Sequence, residues 1–309
     1  MKMQSDEKII EVKGLTKSYK NLLAVDSLDL NVYKGDIFGF LGPNGAGKST
    51  TIRMLLTLIK PESGNINLFG KSLKNEQKRI LGNIGALVEN ADFYQYLSAY
   101  KNLEILSRLS TKVITKKRIM EVLDIVGLTS RSSSKVKTYS HGMKQRLGIA
   151  QTLLHDPDLI ILDEPSTGLD PQGMKEIRDL IVHLRNEENK TILLSSHILS
   201  EVEHIANRMI IINKGKSIVE GSVQELLESS ELKVTIEVNE IDAAKNLVNN
   251  SGWASKLESI ANDKMYFKIS SEEIAELNKF LVNNNISVSA VIPTRSLEEF
   301  FLKITEEAA

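Results

Sequence analysis

A glycine-rich loop between a strand and a helix is the segment of this sequence best suited to bind phosphate. It consists of Gly42, Pro43, Asn44, Gly45, Ala46, Gly47, Lys48, Ser49 and Thr50, which fit the pattern G-x-x-x-x-G-K-[ST]. The apolar residues 37–41 before it are typical of a strand, and residues 51–56 after it are typical of the first turns of a helix. Glycines let backbone N–H groups surround an anion, and the helix N-terminus adds about half a positive charge. This context predicts a nucleoside triphosphate site.

Two side chains of the loop have the chemistry that such a site needs. A lysine at the position of Lys48 reaches the β- and γ-phosphates in loops of this kind, and a hydroxyl at the position of Ser49 ligates Mg²⁺. We therefore expect Lys48 to bind the triphosphate and Ser49 to bind the metal.

Two adjacent carboxylates follow a continuous apolar run much later in the chain. Residues 159–162 are typical of a strand buried on both faces, and Asp163 and Glu164 come directly after them. Behind a phosphate loop, an acid at the position of Asp163 holds Mg²⁺ through water. Glu164 lies one residue beyond, where it can polarise a water against the γ-phosphate. We predict Asp163 as a metal ligand and Glu164 as a catalytic residue.

The segment before that run carries a resemblance to a known family. Residues 139–146 read Tyr-Ser-His-Gly-Met-Lys-Gln-Arg and open a helix predicted over 145–154. They resemble the signature of the ABC-transporter ATPases, which is usually Leu-Ser-Gly-Gly-Gln. In that family the serine, a glycine N–H and the helix N-terminus of one subunit contact the γ-phosphate held by the other. The resemblance implies these contacts for Ser140 and Gly142, while His141 and Met143 depart from the family pattern.

The remaining motifs of that family follow in order. Residues 166–170, which end at Asp170, resemble the loop that crosses the dimer interface and aligns the opposite nucleotide site. His197 resembles the histidine that touches the γ-phosphate and orients the water. Tyr19 resembles the aromatic residue that stacks on adenine. The resemblance therefore implies a nucleotide contact for Tyr19 and Asp170, a catalytic role for His197, and ATP with Mg²⁺ as the bound species.

One departure indicates a subgroup. The family usually places glutamine about forty residues after the loop lysine, where it ligates Mg²⁺, and this sequence has Glu89 there. A carboxylate serves a hard cation at least as well as an amide oxygen. Glu89, residues 93–94, residues 139–148 and residues 297–301 together resemble the bacitracin-resistance subgroup of exporter ATPases. The family resemblance covers about residues 8–225.

The elements that position these residues alternate between strand and helix. Short strands are predicted at residues 9–12, 28–32 and 64–70, and buried strands at 192–195 and 209–212. Apolar residues recur at helical spacing between residues 92 and 140, among them Leu103, Leu106 and Leu109. The pattern predicts an α/β fold, and the resemblance makes it a P-loop NTPase of the ABC ATPase cassette type with antiparallel β and helical subdomains. This domain is predicted at 8–228, with the helical subdomain at about 90–140.

A second unit is predicted at 231–309. Its elements are expected in the order strand (233–238), helix (241–249), strand (255–260), strand (265–269), helix (272–283), strand (287–292). The order βαββαβ is that of a ferredoxin-like α+β fold. A closing helix is expected at 296–304, and the polar link 225–231 separates the two domains.

Composition restricts the function further. The chain has 309 residues, 41% of them hydrophobic, with 39 Lys and Arg against 40 Asp and Glu, so it has no basic excess for nucleic acid. It has no cysteine, which excludes disulfides and thiolate metal sites. The N-terminus has no secretory signal pattern, and no apolar run approaches the ~20 residues that cross a bilayer. If the protein works at a membrane, another chain supplies the membrane part.

These features together predict the ATPase subunit of an ABC exporter on the cytoplasmic face of the cell membrane. Two copies are expected to form a homodimer around two ATP and to drive separate transmembrane permease subunits, with a peptide antibiotic as substrate. The alternative is a soluble ABC ATPase acting in translation or DNA repair. The translation factors carry two cassettes in one chain, and the repair type inserts a long coiled coil where only about ninety residues separate Ser49 from Ser140 here. A purely regulatory ATP sensor would lack the catalytic carboxylate, which is present as Glu164.

Overall fold

The computed structural model of this chain describes residues 6–20, 22–89, 91–110, 112–229, 232–261 and 263–295. They form two units, which divide between Val223 and Gln224. The strands of the first unit are β1 (Lys8–Tyr19), β2 (Leu22–Tyr33), β3 (Ile37–Leu41), β4 (Ser63–Leu68), β5 (Lys71–Ser72), β6 (Ile84–Leu87), β7 (Leu159–Asp163), β8 (Thr191–Ser196), β9 (Arg208–Asn213) and β10 (Lys216–Ser222). Its helices are α1 (Lys48–Leu55), α2 (Gln77–Leu81), α3 (Ala99–Ser107), α4 (Lys116–Ile125), α5 (His141–Leu153), α6 (Pro171–Asn186) and α7 (Leu199–Glu203), and α8 (Val223–Ser229) begins at the division.

The larger sheet positions the predicted nucleotide residues. Within the described ranges its strand order is β10-β9-β3-β8-β7-β6, and all pairs are parallel except β9 with β10. Every residue of β3, β7 and β8 is buried, as expected for strands covered on both faces. Parallel strands end at the same edge of a sheet. The segments after β3, β6, β7 and β8 therefore begin at one edge, where open α/β sheets bind their ligands.

An antiparallel sheet with the order β2-β1-β4-β5 packs against this core. The strands predicted at residues 9–12 and 28–32 are much longer in the structure, because β1 and β2 have 12 residues each. Their pairing shifts register between Val12 and Leu15, beside Gly14 with its φ of 59°. This irregularity interrupts the apolar alternation, and the sequence pattern therefore indicated only parts of each strand.

Two capped helices, α3 and α4, lie in the predicted helical segment. Ser98 accepts a hydrogen bond from the backbone N of Lys101 at 3.2 Å and starts α3, while Thr115 accepts one from the backbone N of Arg118 at 3.1 Å and starts α4. Leu103 is buried, as the helical spacing predicted. Leu109 is exposed instead, because it lies beyond the end of α3.

The second unit contains strands β11 (Leu232–Val238), β12 (Leu257–Ala261), β13 (Lys264–Lys268) and β14 (Val288–Arg295), with helices α9 (Ile241–Asn249) and α10 (Ser271–Asn283). Their order along the chain is the predicted βαββαβ. The strands pair only antiparallel, in the order β12-β13-β11-β14. Val234, Ile236, Phe267 and Leu277 are fully buried in a core of its own. The closing helix predicted at 296–304 and the subgroup residues 297–301 lie outside the described residues.

The link predicted at residues 225–231 is helical as far as Ser229, because α8 covers Val223–Ser229. Each helix within the described ranges is too short or too polar to span a lipid bilayer.

Candidate nucleotide-binding and hydrolysis site

The loop after β3 has the backbone conformation of a phosphate cradle. Gly47 precedes α1 with a φ of 106°, and a side chain there would place Cβ 2.4 Å from the carbonyl oxygen of Ala24. At Gly42 an added Cβ would lie 2.4 Å from the carbonyl oxygen of Ile212. Both positions therefore require glycine. Asn44 and Gly45 are exposed at the tip of the loop.

Lys48 is folded into this loop with only 6% of its surface exposed. Its Nζ donates hydrogen bonds to the carbonyl oxygens of Gly42 at 2.7 Å and Pro43 at 3.3 Å. The same Nζ lies 3.3 Å from Oε1 of Glu164, which directly follows β7 at the same edge of the sheet. Ser49 and Thr50 follow, partly buried in the first turn of α1. The ammonium group and the free N–H groups of that turn can therefore neutralise an anion held by the loop.

Ser195 holds the Asp163 carboxylate and the backbone of Glu164 at the end of β7. Its side chain is completely buried, and its Oγ donates to Oδ1 of Asp163 at 2.5 Å and accepts the backbone N–H of Glu164 at 2.9 Å. Asp163 is 5% exposed. Ser195 was not among the predicted site residues, although it is a hydroxyl at the end of an apolar strand and lies two residues before the predicted His197.

Glu164 and His197 meet at the edge of the sheet. His197 Nδ1 lies 2.7 Å from Oε2 of Glu164, which also accepts a hydrogen bond from Oγ1 of Thr167 at 3.2 Å. Glu164 has a φ of 51°, a left-handed backbone conformation that residues other than glycine rarely adopt. Such strained backbone is concentrated at functional sites. The two residues predicted as catalytic are thus in direct contact.

The charges around Glu164 keep it ionised. Burial acts to raise the pKa of Glu164, but the hydrogen bond from His197 and the positive charge of Lys48 together lower it below its ordinary value. At neutral pH Glu164 therefore carries a negative charge and can accept a hydrogen bond or a proton from water.

The residues that resemble the family signature start α5. Ser140 is exposed and caps this helix, with Oγ accepting the backbone N–H of Met143 at 3.2 Å. His141 Nε2 lies 3.3 Å from the carbonyl oxygen of Thr167, and this contact joins the start of α5 to the segment after Glu164. Asp170 ends that segment and caps α6, accepting the backbone N–H of Gly173 at 2.8 Å.

Comparison with known proteins decides the family of the chain. The family model for ABC transporters matches residues 25–167. The bacitracin transport ATP-binding protein BcrA of Bacillus licheniformis is 43% identical over 300 residues, which cover 96% of this chain and 97% of the relative. The chain belongs to the ABC transporter ATP-binding proteins.

Two further relatives agree with this assignment. The lantibiotic transport ATP-binding protein SrtF of Streptococcus pyogenes is 40% identical over 212 residues, 69% of this chain and 90% of the relative. A solved dimeric structure of the ATP-binding cassette MJ0796, in a post-hydrolysis state with ADP and Pi, superposes with a TM-score of 0.62 and 26% identity. The superposition covers 69% of this chain and 98% of the MJ0796 chain. The predicted family and cassette fold are confirmed, and the protein is an ATPase.

Two predicted ligands of this ABC ATPase have other contacts. Glu89 follows β6 with 67% of its side chain exposed and forms an ion pair with Arg53 of α1. Tyr19 ends β1, 42% exposed, with Nζ of Lys17 at 5.5 Å from the centre of its ring. Both side chains are exposed to solvent. The metal contact of Glu89 and the adenine contact of Tyr19 stay predictions.

The donors near the loop suit a hard cation. Within the described ranges, no three acidic, histidine or cysteine side chains converge on a metal position. The predicted set instead combines the Ser49 hydroxyl with the carboxylates of Asp163 and Glu89, and Asp163 is buried at the end of the strand. Mg²⁺ usually takes one or two carboxylates and fills its shell with phosphate and water oxygens. Such a set fits Mg²⁺ that arrives with a nucleotide.

Proposed function

We propose that this chain is the ATPase subunit of an exporter that moves a peptide antibiotic, such as bacitracin or a lantibiotic, through separate permease subunits. In this function it works at the cytoplasmic face of the membrane. The observation that carries the proposal is the 43% identity to a bacitracin transport protein over nearly the full length of both chains. The aligned region extends beyond the cassette, so the relative shares the second unit as well.

Two copies of the chain are proposed to form a homodimer around two ATP molecules. Ser140 is exposed at the start of α5, where its backbone N–H groups can face an anion. An added Cβ at Gly142 would meet nothing closer than 3.9 Å within this chain. Packing within this chain therefore does not require glycine at position 142. A nucleotide bound to a second copy would require it if that nucleotide came close to this backbone. The solved dimeric cassette supports this arrangement.

The proposed hydrolysis begins with an exchange of partners at Lys48. Bound ATP offers phosphate oxygens, which are stronger acceptors than the loop carbonyls that Lys48 now contacts. When Lys48 turns to the phosphates, Oε1 of Glu164 is released to accept a hydrogen bond from the attacking water. His197 holds the other oxygen of Glu164 in place. Mg²⁺, bound by Ser49, Asp163 and Glu89, would neutralise charge on the phosphates.

The helical segment is proposed as the contact with the permease. Tyr94, Tyr96, Leu109 and Val113 are large apolar side chains exposed in this segment. Leu109 also lines a groove of about 740 Å³ between residues of α2, β6, α3 and α5. β6 leads directly to Glu89, so a short cytoplasmic segment of the permease seated in this groove would sense the nucleotide site.

Co-expression with a candidate permease subunit tests the export function. We expect the pair to raise the concentration of bacitracin or of a lantibiotic that stops growth of a sensitive host, with Glu164→Gln in the same pair as the inactive control. Equal sensitivity of cells with the wild-type and the Glu164→Gln pair, across peptide antibiotics, would contradict the proposed substrate class.

A further inference from the structure

One residue of the signature segment has a contact that the proposed function does not use. His141 is the first residue of α5, at one of the two positions that depart from the family pattern. Its Nε2 lies 3.3 Å from the carbonyl oxygen of Thr167. A carbonyl oxygen can only accept, so Nε2 carries a proton and donates it. Both the neutral ring with that proton and the imidazolium ion can do so, and the bond therefore does not depend on the charge of His141.

The helix does not need this histidine as a cap. Ser140 caps α5 by accepting the backbone N–H of Met143, and the imidazole ring takes no part in that bond. The ring instead lies against Gly168, because an added Cβ at Gly168 would come 3.4 Å from Nε2 and 3.9 Å from Cδ2 of His141. His141 thus contacts two successive residues of the segment that follows Glu164.

Thr167 connects His141 to the hydrolysis residues. Its carbonyl oxygen accepts the bond from His141, and its backbone N–H donates to the carbonyl oxygen of Glu164 at 3.2 Å. Its Oγ1 donates to Oε2 of Glu164, also at 3.2 Å. His197 Nδ1 lies 2.7 Å from the same Oε2. A continuous series of hydrogen bonds therefore leads from the start of α5 to the Glu164 carboxylate.

The two contacts at Oε2 restrict the orientation of this carboxylate. His197 and Thr167 both hold Oε2, whereas Oε1 faces Lys48 Nζ at 3.3 Å and is the oxygen proposed to meet the attacking water. Because a small misplacement of a reacting group lowers the rate, each support of Oε2 matters for hydrolysis. Loss of His141 would leave Thr167, one of the two supports, without its contact to α5.

We propose that His141 is a positioning residue for ATP hydrolysis, which acts through Thr167 and ties the Glu164 carboxylate to the start of α5. The proposal rests on the role proposed above for Glu164 and on the dimer in which Ser140 of one copy contacts ATP held by the other. Since Ser140 directly precedes His141, ATP bound at Ser140 would steady the Glu164 carboxylate of the same copy. Each site would then hydrolyse fastest when the other is occupied.

Four variants of the full chain test this role: His141→Ala, His141→Gln, Thr167→Val and the double variant His141→Ala/Thr167→Val. Glutamine keeps a donor at the end of its side chain without the charge of an imidazolium, and valine keeps the shape of threonine without the hydroxyl. His141 and Thr167 are both exposed, so these changes leave the core intact. His183→Ala is the matched control, because His183 is an exposed histidine on α6.

The measurements separate positioning from folding and from binding. For each protein we would determine kcat and KM for ATP, ATP affinity without Mg²⁺, the thermal midpoint of unfolding, and hydrogen–deuterium exchange of the Thr167 amide. That amide donates to the carbonyl oxygen of Glu164 and reports on the order of the segment.

We expect His141→Ala to lower kcat by about three- to tenfold, the size that one hydrogen bond accounts for. KM, ATP affinity and the thermal midpoint should change little, and the Thr167 amide should exchange faster. His141→Gln should restore most of the rate. In the double variant the loss should be smaller than the product of the two single losses, because both side chains act on one carboxylate. His183→Ala should behave as the wild type.

A wild-type kcat in His141→Ala would overturn the proposal, as would a loss that His141→Gln does not restore, or a loss in the double variant equal to the product of the single losses. A lower kcat together with a lower thermal midpoint would show a structural role instead. The proposed function has a separate test. A wild-type rate in Glu164→Gln contradicts the hydrolysis roles, whereas an inactive Glu164→Gln beside an unaffected His141→Ala contradicts only the role of His141.

Discussion

His197 Nδ1 lies 2.7 Å from Oε2 of Glu164, although 33 residues separate them in the chain. Each residue follows a different strand, Glu164 after β7 and His197 after β8, and these strands are parallel neighbours. The contact thus depends on the order of the strands in the sheet. The contact places the Glu164 carboxylate, which can orient a water molecule, beside His197, which holds that carboxylate in position. Lys48 of the phosphate loop lies next to the same carboxylate.

The pH dependence of stability should reflect the Glu164 contacts. The pKa of Glu164 is lowered in the folded protein, so its contacts contribute stability above the unfolded pKa, and that stability is lost as the pH falls through the folded pKa. Glu164→Gln has no carboxyl group to titrate. We therefore expect the wild type to lose more stability than Glu164→Gln between about pH 6 and pH 3, measured by denaturant midpoints. Parallel curves for the two proteins would contradict the lowered pKa.

The phosphate loop should not tolerate a side chain at Gly47. Gly47→Ala combines a positive φ with a collision against the carbonyl oxygen of Ala24, whereas Gly45→Ala has a positive φ of 83° and nothing within 4 Å of the new Cβ. We expect Gly45→Ala to cost about 1 kcal/mol of unfolding free energy and Gly47→Ala about 3 kcal/mol or more, with ATP binding lost only in the latter. Equal stability and equal ATP affinity would mean that the loop moves away at no cost.

Glu89 should matter for Mg²⁺ more than for nucleotide. Glu89→Gln keeps an oxygen ligand and should be mild, whereas Glu89→Ala should weaken Mg²⁺-dependent turnover and spare nucleotide binding measured without metal. Arg53→Ala is the control, because it removes the ion pair and leaves the carboxylate. Equal ATPase rates in the wild type and Glu89→Ala would show that Glu89 does not bind the metal.

The second unit should be dispensable for nucleotide binding, since every predicted nucleotide residue lies before residue 200 and the unit has its own core. We propose that it adds dimer contact or regulation. A chain that ends at Ser229, after α8, should bind ATP with the affinity of the full chain in a titration. A folded truncation that no longer binds ATP would refute this domain assignment.

Much of the site could be predicted because its residues follow buried strands. The apolar run before Asp163 identified β7, and a phosphate loop followed by acids and a histidine implied one shared sheet edge. The side-chain partners could not be predicted. Lys48 contacts loop carbonyls and Glu164, and Glu89 meets Arg53, because the strand order brings distant segments together. Local sequence patterns carry no information on contacts between side chains that are distant in the sequence.

The fold, like the site, could be predicted only in part. The order βαββαβ of the second unit could be predicted from its apolar residues, and β11 and β13 show the expected alternation of buried and more exposed positions. The long strands β1 and β2 could not be predicted in full, because their register shifts break the alternation.

Glu164→Gln isolates the proposed role of Glu164 in hydrolysis, because the amide keeps the shape of the side chain but cannot accept a proton from water. Loss of a general base lowers the rate by about 10²–10⁴-fold, while the phosphate loop and Asp163 remain to bind ATP. Size-exclusion chromatography with MgATP, together with a phosphate-release assay, measures both effects. We expect an ATP-bound dimer that accumulates and hydrolyses ATP hardly at all. A Glu164→Gln protein that stays monomeric with ATP and releases phosphate at the wild-type rate would contradict it.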